Sequence, residues 1–139
     1  MYESTDSPVD TRPTIFFVEE DDDARPGFRK SLRKLGYRVL IVADLEDALE
    51  WISSTRVPAD LVMVNLLRKS PEEALEVGRE LRKHAKYDGH TPLIVLPERV
   101  PAELEGRDEN VDGNDWVCYY EDGEQVRRLV SRLVNKDSV

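Results

Sequence analysis

The chain has 139 residues, 40% apolar and 35% charged, with a formal net charge of −9 at neutral pH. Such a length fits one domain with a sizeable core, and the negative charge argues against intrinsic binding to nucleic acid or an anionic membrane. No apolar run approaches the ~18 residues of a membrane span, no apolar secretory signal opens the sequence, and the single Cys118 excludes an internal disulfide or a multi-cysteine metal site.

Residues 1–12 are polar, rich in Ser, Thr, Asp and Pro, and read as a flexible tail before a domain spanning 13–136. Thr14 to Val18 is a short apolar run of buried-strand type, followed by the acidic stretch Glu19 through Asp23. From Ala24 to Leu35, Phe28, Leu32 and Leu35 fall at helical spacing, with Arg25, Arg29 and Arg33 on another face. Pro26 and Gly27 predict an irregular or late first turn, and Gly36 a stop. Tyr37 to Val42 is the second strand. Asp44 caps a helix whose apolar stripe is Leu45, Ala48, Leu49 and Ile52, with Trp51 flanking the core.

Ala59 to Asn65 holds a continuous apolar run, Leu61 to Val64, that ends in an amide, as expected of a central parallel strand covered on both faces. Ser70, Pro71 and Glu73 have the spacing of a helix start with a reciprocal cap, and that helix runs to about Ala85. Thr91 to Leu96 is the fourth strand, halted by Pro97. Val100 to Gly113 is interrupted by Pro101, Gly106 and Asn110, which predicts a short or distorted fourth helix. Trp116 to Tyr120 is the fifth strand. Asp122 caps the last helix, whose stripe is Val126, Leu129, Val130, Leu133 and Val134.

A β-α unit repeated five times specifies a doubly wound α/β domain with helices on both faces of a parallel sheet. Two strand orders are common for such domains, and periodicity does not choose between them. In either, the ends of the first, third and fourth strands meet at the carboxyl edge, which brings together Glu19–Asp23, Asn65 and Pro97. Carboxylates there suit a divalent cation. They equally suit a solvated loop beside a helix N-terminus.

Phe17-Val18-Glu19-Glu20-Asp21, Pro58 to Asn65, Thr91 to Pro97 and Gly113 to Tyr120 together resemble the receiver domain of two-component response regulators, including the stand-alone chemotaxis regulator. The resemblance covers about Thr14 to Val134. It implies the flavodoxin-like (βα)5 three-layer sandwich with sheet order 2-1-3-4-5, here with a short or irregular fourth helix. It also implies roles. The acidic pair that holds Mg²⁺ falls on Glu19 and Glu20, with Asp21 a substitute. The phosphorylated aspartate falls on Asn65, the hydroxyl-bearing residue on Pro97, the lysine on Tyr119, its following proline on Tyr120 and the aromatic switch on Trp116.

Asn65 offers no carboxylate nucleophile, Pro97 no hydroxyl and Tyr119 no cation, so Asn65, Pro97 and Tyr119 read as a vestigial phosphorylation site. Loss of one charge leaves Mg²⁺ weak or absent at Glu19, Glu20 and Asp21, and no cofactor is expected. The expectation is a cytoplasmic, non-enzymatic pseudo-receiver. It would act through protein–protein contacts in bacterial signalling, with a histidine kinase, phosphotransfer protein or output protein as partner.

Trp116, Tyr119 and Tyr120 mark a candidate interface, since aromatics are enriched at binding hot spots. In the family this region borders the face of fourth helix, fifth strand and fifth helix, a route to a homodimer. Two readings compete: a receiver switched by another ligand or modification, and a Mg²⁺-dependent phosphate-processing enzyme built on the same acids. Asp108-x-Asn110-x-Asp112-Gly113 imitates the start of a calcium loop, but Tyr119 stands where that loop needs a bidentate glutamate.

Overall fold

The computed structural model describes residues 11–54, 58–87 and 90–135. Its elements in chain order are β1 (Thr14–Glu19), α1 (Arg25–Lys34), β2 (Arg38–Val42), α2 (Leu45–Ser54), β3 (Leu61–Asn65), α3 (Pro71–Ala85), β4 (Leu93–Val95), β5 (Arg107–Asp112), β6 (Asp115–Tyr119) and α4 (Gly123–Val134). The sheet order is β2-β1-β3-β4-β6-β5. The first five strands in that order are mutually parallel, and β5 pairs with β6 antiparallel. The expected tail lies almost wholly outside the described residues.

Alternation along the buried strands divides the core into two layers. Phe16, Val18, Val62, Val64 and Val95 face α2 and α3, meeting Ala48, Ala74, Leu75 and Leu81. Ile15, Phe17, Met63 and Ile94 face α1 and α4, meeting Leu32, Val126, Leu129 and Leu133. Each fully buried Leu or Phe contributes about 2 kcal/mol of transfer free energy, so β1 and β3, buried along their whole length, anchor everything else. Gly78 allows α3 to approach β4 closely, because a Cβ there would lie 2.5 Å from Leu93 Cδ1.

Local chemistry sets the element ends. Ser70 Oγ accepts from the Glu73 N–H at 3.1 Å while Glu73 accepts from the Ser70 N–H at 2.9 Å, the reciprocal cap expected for α3. Asp44 accepts from the Asp47 N–H, and Asp122 from the Gln125 N–H. Gly36 takes a φ of +97° after α1, a conformation that glycine adopts without steric cost. α1 begins at Arg25, after a turn at 22–24 and without a side-chain cap, and Pro26 sits in its first turn, where proline gives up an N–H that has no intrahelical partner anyway. Trp51 does not flank the core as expected; it stands 45% exposed.

The expected fourth helix is absent. Residues 101–106 make only turns, with the Leu104 and Glu105 N–H groups bonded to the Pro101 carbonyl. Gly106 then turns the chain at a φ of +91°, and Arg107–Asp112 enters the sheet as β5. Asp, Asn and Gly are poor helix formers, and Asp108, Asn110 and Asp112 alternate as strand residues do. Gly113, at a φ of +51°, opens a two-residue link from β5 to β6. A glycine at the first position of such a hairpin loop is the ordinary chemistry of a tight turn. The pairing of Asn110 with Trp116 and of Asp112 with Asp115 leaves Val111 as an extra, bulged residue, 44% exposed. Val100 and Leu104 cover the edge of the α2–α3 layer that the missing helix would have covered.

Candidate functional site

β1 and β3 are hydrogen-bonded neighbours in register, and the last matched pair is Glu19 with Asn65. Their side chains follow the parity of Phe17 and Met63 and stand at the carboxyl end of the sheet. Glu19 is fully buried and Asn65 is 5% exposed. Asn65 Nδ2 donates to both carboxylate oxygens of Glu19, at 2.8 and 3.1 Å. The Asp21 N–H donates to Glu19 Oε1 at 2.9 Å. Reversing the amide would set oxygen against carboxylate, so the nitrogen faces Glu19. Asn65 Oδ1 is then a buried acceptor with no partner among the described residues.

Burial raises the Glu19 carboxyl from 4.5 to about 7; the Asp21 N–H and the Asn65 amide pull it down, the Asp21 carboxylate pushes it up, and Arg25 lowers it. Arg25 reaches this loop by donating to the Glu19 carbonyl at 2.8 Å, and it also pairs with Asp22. It therefore braces the strand end rather than lying on a purely solvated basic face.

The other acids turn away from one another. Glu20 Oε1 accepts from the Leu67 N–H at 2.7 Å and so holds the link from β3 to α3. Asp21 Oδ1 accepts from the Asp23 N–H at 2.9 Å. Among the described residues no three acidic, His or Cys side chains gather as a metal ion requires. A divalent cation of the Mg²⁺ kind fits this arrangement poorly, because each carboxylate already serves a protein donor and Asn65 supplies at most a neutral oxygen.

Pro97 is buried just beyond β4. Tyr119, 7% exposed, points into the α2–α3 layer. Burial raises its hydroxyl pKa first, and Glu109 and Glu72 add to the rise. Tyr120 lies on the opposite layer, where burial and then Glu19 and Asp21 raise its hydroxyl pKa. The aromatic neighbour of the acidic loop is thus Tyr120 rather than Tyr119. Trp116, partly buried on the α1–α4 side, lies under Arg132, whose guanidinium carbon is 5.0 Å from its ring centroid. The candidate interface trio is therefore split between two layers. The homodimer face expected from the family lacks its helix, since β5 occupies that place in the chain.

Sequence reasoning did not single out Asp115. It is 4% exposed, and it accepts from Arg79 Nε and pairs with Arg82 Nη2, each at 2.7 Å. Arg82 also donates to the Thr91 carbonyl at 3.0 Å, so α3 clamps the start of β6. Gln125, also buried, donates to Asp108 at 2.8 Å and ties β5 to α4. Two arginines three residues apart on one helix face were the available signal, but their acceptor lies 36 residues beyond Arg79 in sequence.

No protein-family model matches the chain, and no curated protein matches it. Solved structures do. A response regulator receiver protein from Sinorhizobium medicae is 20% identical, with 90% of this chain and 96% of that one covered at a TM-score of 0.67. The Vibrio cholerae chemotaxis protein CheY4 is 18% identical, with 88% and 99% covered at 0.61. The receiver domain of a Pseudomonas aeruginosa sensor histidine kinase, with a magnesium ion coordinated in its active-site cleft, is 24% identical, with 90% and 99% covered at 0.57. The fold is thus the flavodoxin-like fold of receiver domains, with an added antiparallel strand pair. Among the described residues no helix is long and apolar enough to cross a membrane.

Proposed function

We propose that this chain is a phosphorylation-independent receiver: a cytoplasmic, non-enzymatic module that works by protein–protein contact in bacterial two-component-type signalling. The observation that carries the reading is the buried Glu19–Asn65 pair, in which the amide donates to the carboxylate at 2.8 and 3.1 Å. Where the resemblance calls for a nucleophilic carboxylate there is an amide. The acid that would share a cation with that carboxylate is instead occupied by the amide. Buried Pro97 adds no hydroxyl at this edge, and inward-turned Tyr119 adds no cation. A switch requires a ligand that binds two states differently; with no phosphoryl group to do so, output follows the abundance of the partner, a kinase, phosphotransfer or output protein.

The test is incubation with acetyl phosphate and Mg²⁺, followed by intact mass and tryptophan fluorescence. No phosphoryl mass is expected, and a stoichiometric gain overturns the proposal. Asn65→Asp alone is expected to remain unphosphorylated, because Pro97 and Tyr119 are unchanged. It sets a second carboxylate against Glu19 in a buried place and so lowers stability at neutral pH.

A further inference from the structure

β5 ends the sheet. Its inner side pairs with β6, and its outer side pairs with no strand among the described residues. Five of its six residues are exposed and the sixth, Asp108, is half-buried. A row of main-chain donors and acceptors therefore faces solvent in extended geometry. The strand is also held in place. Asp108 is bonded to Gln125 of α4 at 2.8 Å, Asn110 Nδ2 donates to the Gly113 and Asp115 carbonyls at 3.0 and 3.2 Å, and Asp115 is clamped by Arg79 and Arg82. An edge fixed in this way loses little further entropy when something pairs with it.

From this edge we infer a docking site for a basic, extended segment of a partner protein, which adds to the sheet as a seventh strand beside Arg107–Asn110. Charge selects the occupant. β5 carries Asp108, Glu109 and Asp112 against the single Arg107, and exposed Glu103 and Glu105 precede it. Opposite charges across a strand pair contribute roughly 0.2–1 kcal/mol each, while like charges oppose pairing. A second copy would bring an equally acidic strand on a domain that itself carries −9. The bulge at Val111 bends the strand near the hairpin tip and further deters open-ended self-pairing. A lysine-rich strand meets none of this repulsion, and main-chain hydrogen bonds supply affinity as in other strand-addition complexes.

This inference rests on the interaction-module reading, and the two fail in different experiments: phosphoryl transfer overturns that reading, peptide binding tests this one. The probe is a fluorescein-labelled octapeptide of alternating Lys and Val, titrated with the full chain by anisotropy in 0.15 M salt. Saturable binding is expected, with slowed amide exchange confined to 107–112. The same peptide N-methylated at every backbone nitrogen keeps its charge but loses its backbone donors on both edges, and should not bind. The Glu109→Lys/Asp112→Lys double variant, checked for native circular dichroism, should bind about tenfold more weakly. Absence of binding, equal binding of the N-methylated peptide, protection away from β5, or dimerisation of the chain through this edge would each overturn the proposal.

Discussion

Two acidic regions of this molecule are in opposite physical states. At the carboxyl end of β1, Glu19 is fully buried, with the Asn65 amide on both oxygens and a backbone N–H on one. At the far edge of the sheet, Glu109 and Asp112 of β5 stand in solvent. The first region lies where α/β sheets usually do chemistry, yet its groups face one another. The second lies where the fold's fourth helix was expected, and its backbone faces outward. Acidity alone therefore locates no function: burial with partners consumes the carboxylates of the first region, and exposure leaves those of the second free to select a partner.

Perturbations should affect the two regions differently. The largest effect is expected at the clamp beneath the hairpin. Asp115→Leu leaves Arg79 and Arg82 without their buried partner and should cost about 3–4 kcal/mol in urea unfolding. Amide exchange in β5 should accelerate more than in β1 and β3; uniform acceleration would show that the hairpin is no separate unit. Next, Asn65→Leu leaves the Glu19 carboxylate with one donor and should cost about 2–3 kcal/mol.

A pH effect follows. Because burial raises the Glu19 carboxyl from 4.5 to about 7, the folded chain holds this proton more tightly than the unfolded one. Its contribution is fully present below about pH 4.5 and is lost as pH rises through 7, about 3 kcal/mol at this buried site. Glu19→Gln should flatten that part of the urea-midpoint profile; an unchanged profile would mean that the carboxyl titrates normally. The smallest effect is expected at the edge itself: Glu109→Lys should shift stability by no more than about 0.5 kcal/mol. A larger loss would make the exposed acid a structural group and weaken its role in docking.

The helix caps at Ser70 and Asp122, the apolar runs of β1 and β3 and the stripe of α4 were all legible, because each is a local pattern whose period matches its element. Strand order came from resemblance, not from periodicity. The candidate site was legible in part. Asn65 and Glu19 were identifiable as neighbours at strand ends, but the orientation of their side chains was not. Nor was the use of Glu20 on the Leu67 N–H, or the split of Trp116 and Tyr120 from Tyr119, since one step along a strand reverses the face. The hairpin of β5 and β6 stands where a fourth helix was expected, although Gly113-Asn114 before an apolar strand is a hairpin signal.

Residue type and short-range spacing were enough for the number of apolar strands, the capped starts of α2, α3 and α4 at Asp44, Ser70 and Asp122, and the absence of an aspartate at residue 65. Only the tertiary structure decided that Glu19 is consumed by Asn65, that Asp115 is clamped by two arginines of α3, and that Arg107–Asp112 closes the sheet as an edge. Each of these depends on partners many residues away, and hydrogen bonds and ion pairs form between groups that the fold, not the chain order, brings to within about 3 Å.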